Sequence, residues 1–525
     1  MLVSTPLTRL IAVNEPYIDI ASLLGDTADP AAAGLTLRQV GAADPAKASQ
    51  MLADLLDQID SVPHSDPAIL AALLRGLHIL LLKGDPAAIT ALDPSRLAAL
   101  DEALPLECPN RHLVVHLMIL IKSDAALRIA VSRLIALPPK DSAAAGQILS
   151  PLMQHNDWSI DAVFPDLLGA IEHRTLASPI LDITNYLVRS GRVDTHPAAD
   201  RAAWLTTLLA AVTGHLEKFE SDPRSFGDDI ATVQMRLAEA VSLAVSLCDA
   251  IALVGWTPAI PRLTEAMQLK HRRVQTEAAG ALARLGDELG TEHLIALVNE
   301  PSARLRVIAY ADELGMGDRI DDRFRTVEST AEAEMALWLS QPSQMGVPPT
   351  LVETIDQRHQ FWPGYEQPLD CLLVRFHYDM GSKTYSNIGI TGPVTFALAN
   401  NVADLPADDI YAIYAGWHAE HDDIFAIATQ HINPTQRRLV NDLAEHIDRC
   451  GYESPIAELF GVFLDEHAAV FRARRDDKPC LVITDGLETI HQRITGMVRE
   501  LAAADLWNLY KGRKMLRSFN PVDLS

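Results

Sequence analysis

The densest group of side chains able to do chemistry in this 525-residue chain is Trp417-His418-Ala419-Glu420-His421-Asp422-Asp423. Histidines three apart on a helix share a face, and with a carboxylate they could ligate a transition metal or exchange protons with a substrate. His418, Glu420 and His421 are therefore the candidate catalytic residues. His377, on a strand-like run, is a fourth that folding could bring to them, together with His359 and Tyr385. The surrounding pattern argues for a structural role instead. An apolar stripe through Ile410, Ile413, Tyr414, Trp417, His421 and Ile424 places His421 on the buried side of a helix and His418 off its edge. Zinc peptidase motifs set their histidines four apart, not three. Cys371 and Cys480 border apolar runs and read as small buried hydrophobes. The sequence contains no G-x-S-x-G, G-x-x-x-x-G-K-[ST] or G-x-G-x-x-G string, so nucleoside triphosphate and dinucleotide sites have no support. No metal and no cofactor is expected.

The elements around these residues are legible in part. Leu372, Val374, Phe376 and Tyr378 alternate with Leu373, Arg375 and His377, the period of a strand. A turn over residues 379–383 and a return strand over 384–390 predict a β-hairpin. Gly392-Pro393 opens the next helical stretch. Helices are expected near 408–429, 434–449 and 455–474, a short strand at 480–483, and a helix from about Leu487. Ahead of the hairpin, Phe361-Trp362-Pro363-Gly364-Tyr365 forms an aromatic turn. Trp362 and Tyr365 are candidate binding residues, because Trp and Tyr carry much interface energy; packing over the hairpin is the competing role.

Residues 61–325 read as helix after helix, rich in Ala and Leu, with breaks at Pro and Gly such as Pro138-Pro139 and Ser190-Gly191. Gly255, Gly286 and Gly317 recur every 31 residues. Val274 matches Leu305 and Leu243, Ala278 matches Ala309, Leu285 matches Met316 and Val254, and past the glycines Leu263 answers to Leu294. Val274, Ala278, Leu282 and Leu285 share one helical face and are expected to be buried. Arg273 and Arg304 also recur one unit apart, as binding candidates or as braces between turns. A helical period of this length is the mark of an α-solenoid. The string from Arg272 to Asp287, Arg-Arg-Val-Gln-Thr-Glu-Ala-Ala-Gly-Ala-Leu-Ala-Arg-Leu-Gly-Asp, resembles HEAT repeats, especially the short HEAT-like type of phycobilisome-lyase proteins. The resemblance implies an all-helical solenoid used for protein–protein contact. The block after residue 350 resembles the tail of bacterial HEAT-repeat proteins. The expected fold is mainly α: a lead-in over 1–60, a solenoid of HEAT-like hairpins over 61–325, a linker over 326–350, and a smaller α+β domain over 351–525 with a β-hairpin.

A net charge of −25 repels a phosphate backbone, so nucleic acid is not an expected partner, and a protein with a basic surface is. Five widely spaced cysteines without a C-x-x-C pair suit reduced thiols and a cytoplasmic location. The apolar stretches around 113–121 and 241–248 are too short for a membrane span. Together these features predict a cytoplasmic scaffold that binds another protein. The alternative is an enzyme, metal-dependent or lyase-like, with its site near His418 and His421.

Overall fold

The computed structural model describes residues 44–57, 67–105, 108, 111–226, 229–341, 343–381, 383–419, 425–463, 465–494 and 501–520. Glu420 and His421, and most of the lead-in expected over residues 1–60, lie outside these. The chain divides into two compact units: residues 1–270 with 284–287, and residues 271–283 with 288–525.

In the first unit the Ala/Leu-rich segments form helices α1 (Pro45–Asp57), α2 (Pro67–Lys83), α3 (Pro86–Thr90), α4 (Ser95–Ala103), α5 (Arg111–Ile121), α6 (Asp124–Ala136), α7 (Ser142–Leu149), α8 (Pro151–Gln154), α9 (Ala177–Arg189), α10 (Ala202–Ser221), α11 (Ile230–Val254) and α12 (Ile260–Met267). Asp85, Ser123, Asp141 and Asp229 cap α3, α6, α7 and α11 by accepting free N–H groups of the first turn. Successive helices lie on one another: α2 on α5, α5 on α7, α7 on α9, and both α9 and α10 on α11. Between α9 and α11 the apolar contact is interrupted by a polar seam. Ser178 bonds Ser242 and Ser246 (2.9 Å each), Ser246 donates to Asp182 (2.6 Å), and the Asn185 amide donates to the Ser246 carbonyl (3.1 Å). The segment Ala231–Val254 of α11 is long and apolar enough to cross a membrane on those two criteria alone. This corrects the expectation that no stretch reaches that length. Half of it is buried, and the seam joins its Ser242 and Ser246 hydroxyls to Ser178 of α9.

The glycine period needs a correction as well. Gly255 and Gly286 do end helices with positive φ (75° and 82°), but the third such glycine is Gly315 (φ 68°), not Gly317. Gly317 begins a 3-10 turn instead. Backbone caps confirm the register: Trp256 N donates to Ile251 O (3.2 Å) and Met316 N to Ala311 O (2.7 Å), the same closing bond around Gly255 and Gly315. The steps are thus 31 and 29 residues. Val274, Ala278 and Leu282 are buried and Leu285 half-buried; in the following unit Ala303, Val307 and Ala311 are buried, while Ala309 is exposed.

The second unit carries α13 (Arg272–Arg284), α14 (Glu288–Ala296), α15 (Pro301–Glu313) and α16 (Val327–Leu339), then β1 (Leu351–Gln360), β2 (Leu369–Met380), β3 (Lys383–Thr391), α17 (Ala407–His418), β4 (Phe425–Ala428), α18 (Pro434–Arg449), β5 (Glu453–Phe463), β6 (Glu466–Arg475), β7 (Lys478–Thr484), β8 (Thr489–Arg493) and α19 (Ala503–Phe519). The hairpin expected at 369–390 is present: β2 and β3 pair antiparallel from Leu372↔Thr391 to Met380↔Lys383. Leu372, Val374, Phe376 and Tyr378 share one face, against Ala331, Met335, Ala336 and Leu339 of α16. Residues 326–350 are therefore not simply a linker. β1 pairs on the other side of β2, giving a three-stranded sheet.

The helix expected over 455–474 is two strands, and the one expected from Leu487 is strand β8 followed by α19. The helix expected over 408–429 ends at His418. β4 to β8 form a five-stranded antiparallel sheet in chain order, with α18, inserted between β4 and β5, on one face and α19 on the other. The layers run α16, first sheet, α17 with α19, second sheet, α18.

These layers are two copies of one plan: helix, three-stranded meander, helix, with β4 and β8 added at the edges of the second. The closing helices carry matching strings, Asp409-Ile410-Tyr411-Ala412-Ile413-Tyr414-Ala415-Gly416 and Asp505-Leu506-Trp507-Asn508-Leu509-Tyr510-Lys511-Gly512. The two helices meet at those glycines. A Cβ on Gly416 would stand 2.0 Å from Asn508 O, and one on Gly512 would stand 1.6 Å from Ala412 O. Only hydrogen fits at either point.

Candidate functional site

The C-terminal end of α17 gathers an aromatic surface that sits on both sheets' shared core. Trp362, at 1% exposure, is part of that core and donates its indole N–H to His418 Nδ1 at 2.9 Å. That bond leaves the ring hydrogen of His418 on Nε2. Tyr365 lies with its ring centroid 6.3 Å from His418, its hydroxyl donating to Pro393 O at 2.6 Å, and keeps 45% of its surface open. Phe361, also exposed, is pinned through its backbone by Asn520, whose side chain bonds its N–H (2.8 Å) and its carbonyl (3.1 Å). Trp417 stacks on Phe396 at 3.8 Å with 9° between the rings and is 40% exposed. Since Phe396 covers one indole face, the exposed area belongs to the other face and its edge. Phe396 in turn meets Trp338 of α16 edge-on at 5.7 Å. The row Trp338, Phe396, Trp417, His418, Tyr365 is held by stacking and hydrogen bonds within the chain.

The structure brings together some of the residues singled out in the sequence and separates others. His418, Trp362 and Tyr365 are neighbours. His377 lies in β2 opposite Leu351 and Ser386 and makes no hydrogen bond or ring contact with His418. Among the described residues no three His, Cys, Asp or Glu side chains converge as metal ligands would. Arg273 is exposed. Arg304 is buried, and it bonds Val298 O (3.2 Å), Ser329 O (2.9 Å), Ser329 Oγ (2.8 Å) and Glu332 (3.2 Å). It braces its own unit and offers nothing to a partner, so its candidacy as a binding residue falls. Burial pushes the Cys371 thiol up to about 12 and raises that of Cys480, which suits small core residues rather than nucleophiles.

The duplicated plan shows which positions are particular to this surface. The two strings share their Asp, Tyr and Gly and keep apolar or aromatic residues at three more places, and directly after the glycine they part, Trp417-His418 against Arg513-Lys514. In the second copy both cations are consumed internally: Arg513 bonds Asp409 (2.8 and 2.6 Å), and Lys514 bonds Asp485 and Glu466. In the first copy the same positions hold an open indole and an imidazole. Inside the strings Asn508 stands opposite Ala412, and the charged departure is Lys511, where the twin has the buried Ala415. Lys511 is 8% exposed, and burial pulls its amine down to about 8. Sequence reading missed Trp338, Phe396 and Glu334, which come from distant segments. The matching strings, at positions 409–416 and 505–512, were the available signal for the duplication.

Comparison of the chain with known protein families, with curated proteins and with solved structures finds no match in any of the three.

Proposed function

We propose that this protein is a cytoplasmic interaction scaffold: a HEAT-like helical solenoid joined to a duplicated α+β unit that docks a partner protein. The observation that carries the reading is the pre-ordered aromatic row, in which Trp417 and Tyr365 stay substantially exposed although their own backbone and ring contacts fix them. Rigid aromatics of this kind supply contact area at little entropic cost on binding. The helix-on-helix succession of the first unit supports the solenoid part, and the αL glycines 255, 286 and 315 support a repeated hairpin. Five free thiols suit a reducing compartment. The net charge of −25 favours a basic partner surface.

The test is cross-linked capture from native lysate with wild-type protein and with the Tyr365→Ala/Trp417→Ala double variant. A partner held by the wild type should be lost by the variant while its thermal stability stays near that of the parent. Equal capture of the same partner by both proteins would refute the placement of the interface.

A further inference from the structure

Twice the chain meets an aromatic face and one or two carboxylates with a single guanidinium. Arg306 forks onto Glu277 (2.8 and 2.9 Å) while lying 4.2 Å over the ring of Tyr310, whose hydroxyl donates to Glu277 at 2.6 Å. Arg358 lies 4.4 Å over Tyr411 and bonds Asp356 (3.0 Å) and Asp408 (2.8 Å). A guanidinium suits both demands because it is planar, weakly hydrated and carries five donors in a fixed fork.

At the α16 end of the aromatic row the ring and the carboxylate are present, and among the described residues no cation pairs with them. Glu334 lies one turn before Trp338 on α16 and is half-buried. Its carboxylate accepts a hydrogen bond from the Thr395 side chain, next in sequence to Phe396, and burial raises its pKa with no basic group offsetting the effect. Trp338 meets Phe396 at 5.7 Å, and Phe396 stacks on Trp417. A half-buried carboxylate without a counter-charge is costly for the fold alone, and the twin surface on α19 is filled by the chain's own Arg513 and Lys514.

We propose that Glu334 and the row Trp338, Phe396 and Trp417 form a receptor for an arginine side chain of the partner polypeptide. This rests on the reading of the aromatic row as an interaction site and names what it holds. The guanidinium lies along the aromatic row and directs its N–H groups at the Glu334 carboxylate, as Arg306 does with Tyr310 and Glu277. An ammonium can meet a ring and a carboxylate together, as Lys514 does with Tyr510 (5.0 Å), Asp485 and Glu466, but its donors diverge from a point and cannot fork in parallel onto one carboxylate, so lysine should be held more weakly than arginine.

Full-length protein labelled with 5-fluorotryptophan provides the test, with the Trp338 and Trp417 resonances assigned from Trp338→Phe and Trp417→Phe variants. Titrated with N-acetyl-arginine N-methylamide, both resonances should shift saturably, and the uncharged citrulline analogue should leave them in place. Glu334→Gln should raise the half-saturating concentration about tenfold, the loss expected for one charge-assisted hydrogen bond. No saturable shift, an equal shift with citrulline, equal saturation by the lysine derivative or by choline, or an unchanged Glu334→Gln titration would each overturn the proposal. If the arginine probe fails while Tyr365→Ala/Trp417→Ala still abolishes partner capture, the interaction surface stands and only its arginine assignment falls.

Discussion

Substituting Gly512 by alanine tests the seam between the two copies of the α+β plan. An added Cβ would stand 1.6 Å from the Ala412 carbonyl oxygen and 2.9 Å from Gly416 N, and both obstacles are backbone. Ordinary contact begins near 3.4 Å and the shortest approach would be 1.6 Å, so α17 and α19 must part by roughly 1.8 Å. A radial gap of that size forfeits about half or more of the dispersion energy of the atoms it separates. Ile410, Ile413, Tyr414, Leu506, Trp507 and Tyr510 are all packed in this layer. Overpacking ordinarily costs about 1–3 kcal/mol; with no side chain able to swing away, about 4 kcal/mol is reasonable here. Alanine returns about 1 kcal/mol of helix propensity. The expected net loss is therefore about 3 kcal/mol. Native-state hydrogen exchange in rising urea, read on peptides from α17 and α19, measures it without requiring the whole chain to unfold in one step. Gly416→Ala should behave alike, and the double variant should cost less than the sum, because one opening accommodates both methyls. A methyl added at Gly214 of α10 would meet nothing within 4 Å, so Gly214→Ala should instead stabilise by about 1 kcal/mol. Protection of α19 that is unchanged or improved in Gly512→Ala would refute the close approach.

Two further outcomes follow from buried bases. Burial lowers the Lys511 amine to about 8, so between that value and about 10.4 the unfolded chain binds more protons and stability rises with pH. Lys511→Met, which keeps the stem and removes the charge, should stabilise by about 3 kcal/mol at pH 7, and the gain should shrink by pH 10 in urea titrations; a gain constant across that span would exclude a buried ammonium as its cause. His196 is pulled down to about 4, first by burial, with Asp249 opposing. Its Nδ1 accepts from Ala198 N–H (3.1 Å) and its Nε2 faces Asn185 Oδ1 (3.0 Å), so both nitrogens are used by the neutral ring. Stability contributed by that neutral ring is complete above about 6.5 and is lost as pH falls toward 4, so His196→Gln should flatten that part of the stability profile; an identical slope in both proteins would assign the acid sensitivity elsewhere.

The sequence made some of this legible, and the reasons for the rest are physical. The β2–β3 hairpin could be read because α16 and α17 contact its two faces unequally: Leu372, Val374, Phe376 and Tyr378 are buried, whereas Arg375 and His377 reach the edge. β6 could not be, because α18 and α19 cover both of its faces and Ala468 to Phe471 are all buried. A strand buried on both sides loses its period of two and looks helical in composition. Turn residues Asp465, Asp476 and Asp477 carry the hairpins with positive φ where glycine would have signalled them. Spacing alone took Gly317 for Gly315, since two glycines two residues apart differ only in which one closes the helix. At the site, Trp362 and Tyr365 were visible as an aromatic turn, but Phe396 and Glu334 join them only through sheet and helix packing.

The interlock of the two copies also sets a timetable for synthesis. The core that closes over Ile410, Tyr411 and Tyr414 includes Leu506, Trp507 and Tyr510, so the first copy cannot complete itself until α19 has been made. Between His418 and Phe519 lie about a hundred residues, roughly 5–20 s of elongation at typical ribosomal speeds. During that interval one apolar face of α17 and the inner side of the first sheet await a partner from the same chain. A nascent-chain chaperone would find its opening there, and a ribosome stalled within that window would leave a sticky half-module.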